Sequence, residues 1–153
     1  MDTSDSSSIT PAPSPADAVA SWLVASLAAV PALEGVPVIR QSDESIDRAQ
    51  CVVVADARDE GDHLGIPGHV LVDITAAVAL WVHVTDDQTP VQTSALLAAI
   101  RAALAALPQG DAPPVDGWHV RYISGWTQGG LLLDGNDRHV ELTATMLLQS
   151  AAI

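Results

Sequence analysis

Between Val70 and Val84 the chain reads VLVDITAAVALWVHV. Every even position is apolar: Val70, Val72, Ile74, Ala76, Val78, Leu80, Val82 and Val84. The odd positions are mixed: Leu71, Asp73, Thr75, Ala77, Ala79, Trp81 and His83. Side chains of a strand point alternately to its two faces, so this pattern predicts one strand with one fully buried face. Helical spacing would scatter Asp73, Thr75 and His83 around a cylinder. At about 3.3 Å per residue such a strand reaches roughly 50 Å. A compact domain of this length has a radius of gyration of only roughly 15 Å. The strand is therefore expected to bend, to bulge near Ala76 and Ala77, or to project beyond the globule. Its odd face, with Leu71, Ala77, Ala79 and Trp81, is too apolar to be left to water, so a second layer or a neighbouring subunit is expected there.

The remaining elements follow from the same kind of pattern. Asp17 to Val30 has apolar residues three to four apart (Val19, Trp22 or Leu23, Leu27, Val30), which predicts a helix. Ser14 supplies its N-cap, Pro15 its first helical position, and Pro31 its end. Val36 to Arg40 is a short strand placed at an edge by Pro37. Gln41 to Gln50 reads as a polar loop. Cys51 to Ala57 is an apolar strand, expected to pair antiparallel with the long one across a loop from Arg58 to Gly68.

Thr89 as N-cap and Pro90 at the first turn begin a second helix, with an apolar stripe of Leu96, Ile100, Ala103, Leu104 and Leu107, widened by Leu97. Pro108 and Gly110 stop it. This helix is expected to cover the even face of the long strand. Asp111 to Gly117 reads as a linker. Trp118 to Thr127 reads as a strand with Trp118, Val120, Tyr122 and Trp126 on one side and His119, Arg121, Ile123 and Thr127 on the other. Asp134-Gly135-Asn136-Asp137 is a hairpin turn. His139 to Gln149 returns as a strand with Val140, Leu142, Ala144, Met146 and Leu148 inward. The order α-β-β-β-α-β-β, with neighbours joined as hairpins, predicts an α+β fold: a largely antiparallel sheet packed by two helices. Met1 to Pro15, rich in Ser, Pro and Asp, reads as a disordered arm, and residues 16–153 as a single domain.

Composition narrows the possible partners. Of the 153 residues, 48% are apolar but only one is Tyr, four are Trp and none is Phe, so the core must be aliphatic. The formal charge is −13, and all six basic residues are Arg. No basic patch is available to neutralise phosphates, which argues against DNA or RNA binding and against anionic membranes. No uncharged apolar run has the length of a membrane span, and no secretory signal is read at the N-terminus. Cys51 stands alone, which excludes an intrachain disulfide and a multi-cysteine zinc site. It reads as a buried, inert thiol.

Candidate chemistry is sparse. Asp56, Asp59, Glu60, Asp62 and His63 form the densest set of hard ligands. They read as a solvated acidic loop, with a divalent-cation site, and hence a small metal-dependent hydrolase, as the alternative. Asp134, Asn136 and Asp137 are the residue types that a turn needs. His83, His119 and His139 fall on outward strand positions and read as surface histidines, with a cluster gathered on one sheet face as the alternative. No nucleophile elbow, P-loop or dinucleotide fingerprint occurs, so no catalytic residue, metal site or cofactor is assigned and the chain is not expected to be an enzyme. Trp81, on the less buried strand face, is weighed between core packing and an interface anchor. The candidate interface is Leu71, Ala79, Trp81 and His83.

The succession of an amphipathic helix, a short strand, an apolar strand, an acidic loop, a long alternating strand, the helix TSALLAAIRAALAAL and a hairpin ending in HVELTATMLLQ resembles the tail terminator (tail completion) proteins of long-tailed bacteriophages and related neck and minor tail proteins. The likeness covers about Asp17 to Ala151. It implies a structural virion protein, assembled in the host cytoplasm as a homo-oligomeric, typically hexameric ring on the last tail-tube ring. Such a ring meets the tube protein on one side and the head–tail connector protein on the other. DNA would pass through an acidic lumen that repels it rather than binding it. A non-viral α+β scaffold or binding subunit is the other alternative.

Overall fold

The computed structural model describes residues 14–41, 50–63, 70–87, 90–110 and 113–150; of Asp62, His63, Asp86 and Asp134 it describes the backbone alone. Most of the expected N-terminal arm, most of the polar loop before Cys51, and Thr89 lie outside these residues. The chain folds as α+β: two helices lie against a mostly antiparallel sheet.

Helix α1 spans Pro15–Ala28. The Ser14 hydroxyl accepts the Asp17 N–H at 3.1 Å, satisfying one of the donors that a helix start leaves unpaired. Its buried side is Ala18, Val19, Ala20, Leu23 and Leu27; Trp22 is only partly buried. Helix α2 spans Val91–Ala105 and buries Thr93, Leu96, Ile100 and Leu104.

The cap of α2 differs from the expected one. Asp87, in the loop before it, accepts the Gln92 and Thr93 N–H groups at 3.2 and 2.7 Å and the Thr93 hydroxyl at 2.7 Å. Arg138, from the last strand, donates to the Asp87 carbonyl oxygen at 2.7 Å and stands 3.6 Å from its carboxylate. All three side chains are buried, so each polar group is satisfied by the other two, which burial demands. This clamp fixes the start of α2 to the sheet.

Strands β1 (Val38–Arg40), β2 (Gln50–Val54), β3 (Arg58–His63), β4 (Leu71–His83), β5 (Trp118–Ile123), β6 (Thr127–Gln128), β7 (Leu132–Asp134) and β8 (Asp137–Ser150) form one sheet. Its axis is the ribbon of β4 and β8, antiparallel and in unbroken register from Leu71↔Gln149 to His83↔Asp137. The expected bulge near Ala76 and Ala77 is therefore not in β4. The breaks fall instead in the strands flanking it. On one edge β2 pairs Val78 to Val82 and β3 pairs Leu71 to Thr75. Between them Ala55 keeps one bond, donating its N–H to the Ala77 oxygen at 3.0 Å. On the far edge of β8, β5, β6 and β7 pair successive stretches. Long paired strands coil, and flanking strands follow the coil by breaking and bulging. The bulges lie at Asp59/Gly61, where Gly61 has φ +111°, and at Val120/Tyr122.

Three expectations are corrected. Arg58 to His63 is not loop but β3, bonded to the edge of β4. The strand expected from Trp118 to Thr127 ends at Ile123, and its bulge reverses the alternation, so Ile123 is buried and Tyr122 is exposed. The segment read as a linker ends in a tight turn: Asp116 and Gly117 both have positive φ, and Val115 and Trp118 exchange both backbone hydrogen bonds.

The core lies between the helices and one sheet face. It joins Leu23, Leu27, Ile100 and Leu104 to Val72, Ile74, Val78, Leu80 and Val82 of β4 and to Leu142, Met146 and Leu148 of β8. Every even residue of β4 is buried along the full strand. The ribbon is thus clad on both edges and roofed by helices, and no part of β4 juts beyond the fold. The other half of the expectation concerns the second face.

Candidate assembly interface

The odd residues of β4 have no helix over them. Leu71, Asp73, Thr75, Ala77, Ala79, Trp81 and His83 are each partly exposed, in strict alternation with the buried even set. Across the ribbon they stand beside Gln149, Leu147, Thr145, Thr143, Glu141, His139 and Asp137 of β8. Both helices pack on the opposite side, so among the described residues this face carries no second layer.

The face is not uniform. At the His83 end, Trp81 lies over a small apolar cluster of Ile39, Cys51 and Val53. Its ring stacks on His139, with centroids 4.2 Å apart and planes 11° from parallel. The pair sits in register across the strands, where side chains on one face meet. His83 Nδ1 reaches the Asp137 carboxylate at 2.5 Å, again a cross-strand neighbour. Trp81 therefore packs and is partly exposed at once: its inner side covers Cys51 and its other side meets His139. Cys51 is a buried thiol outside any disulfide.

The middle of the face is small and polar, with Ala77, Ala79, Thr143 and Glu141. Leu71 lies at the far end, ten residues along the ribbon from Trp81. His119 pairs Gln149 near Leu71, so it stands roughly 33 Å from His139 along β8. The outward histidines form one group of two and a distant third. His119 Nδ1 is buried without a partner.

The acidic stretch resolves into separate tasks. Arg40 donates to Asp17 of α1 and to Asp56, tying β1 to the helix start and to the end of β2. The Arg40 hydrogen bond, with that of Ser14, holds the Asp17 carboxyl below its usual range. Asp59 accepts the Gly61 N–H at 2.8 Å and shapes the bulge. Glu60 accepts from Arg58 at 2.7 Å and from the Thr75 hydroxyl at 2.8 Å; these bonds hold its pKa low. Among the described residues no three His, Cys, Asp or Glu side chains gather as ligands. Asp134 to Asp137 closes the β7–β8 hairpin through Gly135 and Asn136, with Gly135 at φ +64°.

A small cleft of about 240 Å³ lies beside α2, lined by Arg101, Gln109, Ser124 and Trp126 among others. Three of its polar side chains are engaged: Arg101 with Gln128, Gln109 with the Ile123 N–H, and Ser124 with the Thr145 N–H, whereas the Trp126 Nε1 is buried without a partner. They form no nucleophile–base pair. The sequence pattern passed over Leu131, Leu132 and Leu133, a run without periodicity that the structure leaves exposed at the sheet edge.

No protein-family model matches the chain, and no curated protein matches it. Solved structures do resemble it. One covers 86% of this chain and 91% of its own, at a TM-score of 0.53 and 14% identity. A likeness at that identity speaks for a shared fold alone.

Proposed function

We propose that this chain is a structural subunit that completes a ring on a phage tail tube or neck, and that the open face of the β4–β8 ribbon is where it meets its neighbour. One observation carries this: a sheet face with Leu71, Ala79 and Trp81 on it runs the length of the ribbon, partly exposed, with no layer over it among the described residues. Sheets with one wet face are common, but their wet faces alternate to polar residues. Here four of the seven odd positions of β4 are Leu, Ala or Trp. Trp is the residue type most enriched where partners anchor. The strand layout and the acidic charge fit the same role, since a channel wall of carboxylates lets DNA pass without holding it.

Electron microscopy of tail tubes mixed with the purified chain tests this. The wild type caps one end of each tube and stops its growth. Ala79→Arg, which puts a bulky charge in the middle of the open face opposite the Glu141 carboxylate, abolishes capping while leaving the urea midpoint in place. A chain that stays monomeric and never binds tubes overturns the proposal, and a basic lumen in the ring overturns its account of DNA passage.

A further inference from the structure

The cleft beside α2 stands apart from the open face and carries a different chemistry. It lies on the helix side of the sheet, between Arg101 and Leu104 in the last turns of α2, Gln109 just after it, and Ile123, Ser124 and Trp126 where β5 leads toward β6. The chain has 19 Asp and Glu residues, yet none lines this cleft.

Its hydrogen-bonding groups are donors without acceptors. Among the described residues Arg40, Arg58 and Arg138 each face a carboxylate. Arg101 instead meets the amide oxygen of Gln128, through one N–H at 3.1 Å. A guanidinium has five N–H donors in one plane, so most of them stay open. The Gln109 Oε1 accepts the Ile123 N–H at 2.8 Å, which leaves the NH2 end of that amide as a pair of donors. The Trp126 Nε1–H is buried with no acceptor, an arrangement that costs stability. The Ser124 hydroxyl, by contrast, is spent: it accepts the Thr145 N–H at 2.9 Å and donates to the Gly125 oxygen at 3.3 Å. Leu104 and Ile123 add an apolar wall.

We infer that this cleft binds a carboxylate carried on a short aliphatic chain. Open donors call for a group that only accepts, and an ionised carboxylate is such a group. Its two oxygens match the fork of Arg101. The end of a helix repels anions through its unpaired carbonyls. Here the carbonyls of Ala102, Ala103 and Leu104 are met by the N–H groups of Ala106 and Leu107, so the Arg101 charge prevails. The Trp126 ring is only partly buried, and a turn of it brings its N–H to a ligand oxygen. The cleft holds about 240 Å³, below the roughly 300–1,000 Å³ of sites for drug-sized molecules, so its ligand has only a few carbons. A free short-chain acid and the glutamate side chain of another protein both offer this group.

NMR of the full-length, nitrogen-15-labelled chain tests the inference and separates the two sources. The chain is titrated at pH 7 and constant ionic strength with sodium butyrate and, separately, with N-acetylglutamate N-methylamide. The Trp126 indole N–H resonance moves and saturates at millimolar ligand, the affinity expected of so few atoms, while those of Trp22, Trp81 and Trp118 stay in place. Butyramide, which has the same shape without the charge, binds at least tenfold more weakly. Arg101→Gln, at an exposed position, keeps the urea midpoint and loses at least tenfold in affinity. Trp126→Phe keeps a ring, removes the donor and loses several-fold. Tighter binding of butyrate assigns the cleft to a small acid, and tighter binding of the blocked glutamate assigns it to a protein side chain. An indole resonance that moves with neither probe overturns the inference, as does butyramide binding equal to butyrate or an Arg101→Gln chain that binds as before.

Discussion

The two faces of one ribbon teach more than either alone. Leu142 and Glu141 are neighbours on β8, and their side chains point to opposite sides of the sheet. Leu142 is fully buried among helix and strand residues, whereas Glu141 is exposed beside Ala79. The inner face is continuous aliphatic packing from Val72 to Val82, closed by α1 and α2. The outer face mixes Ala, Thr, Trp and charged residues and, among the described residues, has no helix over it. The inner face thus holds the fold, and the outer face is available for contact.

The largest contrast that tests this division is a pair of adjacent substitutions. Leu142→Ala removes buried methyl groups and leaves a cavity that close-packed neighbours cannot fill, at a cost of about 2–5 kcal/mol. Glu141→Ala, one residue away, changes stability by no more than about 0.5 kcal/mol. Urea denaturation of both variants measures the difference. Equal losses would mean that the outer face is also structural, and the division between the faces would fall.

The next effect lies where the inner face meets the loop before α2. Burial raises the pKa of Asp87, but the Thr93 hydroxyl, the Thr93 and Gln92 N–H groups and the Arg138 charge outweigh it and hold it below the usual carboxylate value. A carboxyl whose pKa is lower in the folded than in the unfolded chain stabilises the fold fully above its unfolded value, near about 4. That stabilisation is lost as the pH falls through the folded value. Asp17 and Glu60 are shifted in the same direction by Arg40 and Arg58. The urea midpoint should therefore hold steady from pH 7 to about 5 and decline below about pH 4. Asp87→Asn, which keeps an acceptor but loses the charge, should lower the midpoint at pH 6. The gap to wild type should then narrow toward pH 3. A gap that widens on acidification would show that the Asp87 charge does not support the clamp.

Much of the inner face was legible in the sequence, because alternation and helical spacing are direct consequences of burial on one side. The alternation of β4 and β8, the covering stripe of α2 and the Gly135–Asn136 turn all follow from local pattern. What escaped depends on partners distant in the chain. The strand Arg58–His63 is polar throughout and extends only because the edge of β4 supplies hydrogen bonds to it. The bulge after Val120 flips Tyr122 outward, and no alternation rule reveals a skipped register. Asp87 caps α2 from a loop, satisfied by Arg138 fifty-one residues later. The turn at Asp116-Gly117 did carry a local signal, the Asp-Gly dipeptide of two-residue hairpins. For the candidate site, the apolar odd positions of β4 were readable, but whether a layer covers them depends on where α1 and α2 pack. The exposed leucines after Gly130 had no period to give them away.

The smallest expected effect sharpens the comparison most, because it separates stability from contact on the open face. His83 and Asp137 form a cross-strand pair there, both about a third exposed. A hydrogen-bonded pair this open competes with water and holds two side chains in one geometry, so it contributes less than about 1 kcal/mol. His83→Ala should therefore shift the urea midpoint several-fold less than Leu142→Ala does. If the open face is a contact surface, the same substitution should still weaken tube capping, since His83 stands beside the Trp81–His139 stack at the edge of the uncovered patch. A large loss of stability would place His83 in the fold's own support, contrary to its position on the outer face. An unchanged midpoint with unchanged capping would remove this end of the ribbon from the interface and leave Ala79 and Leu71 to carry it.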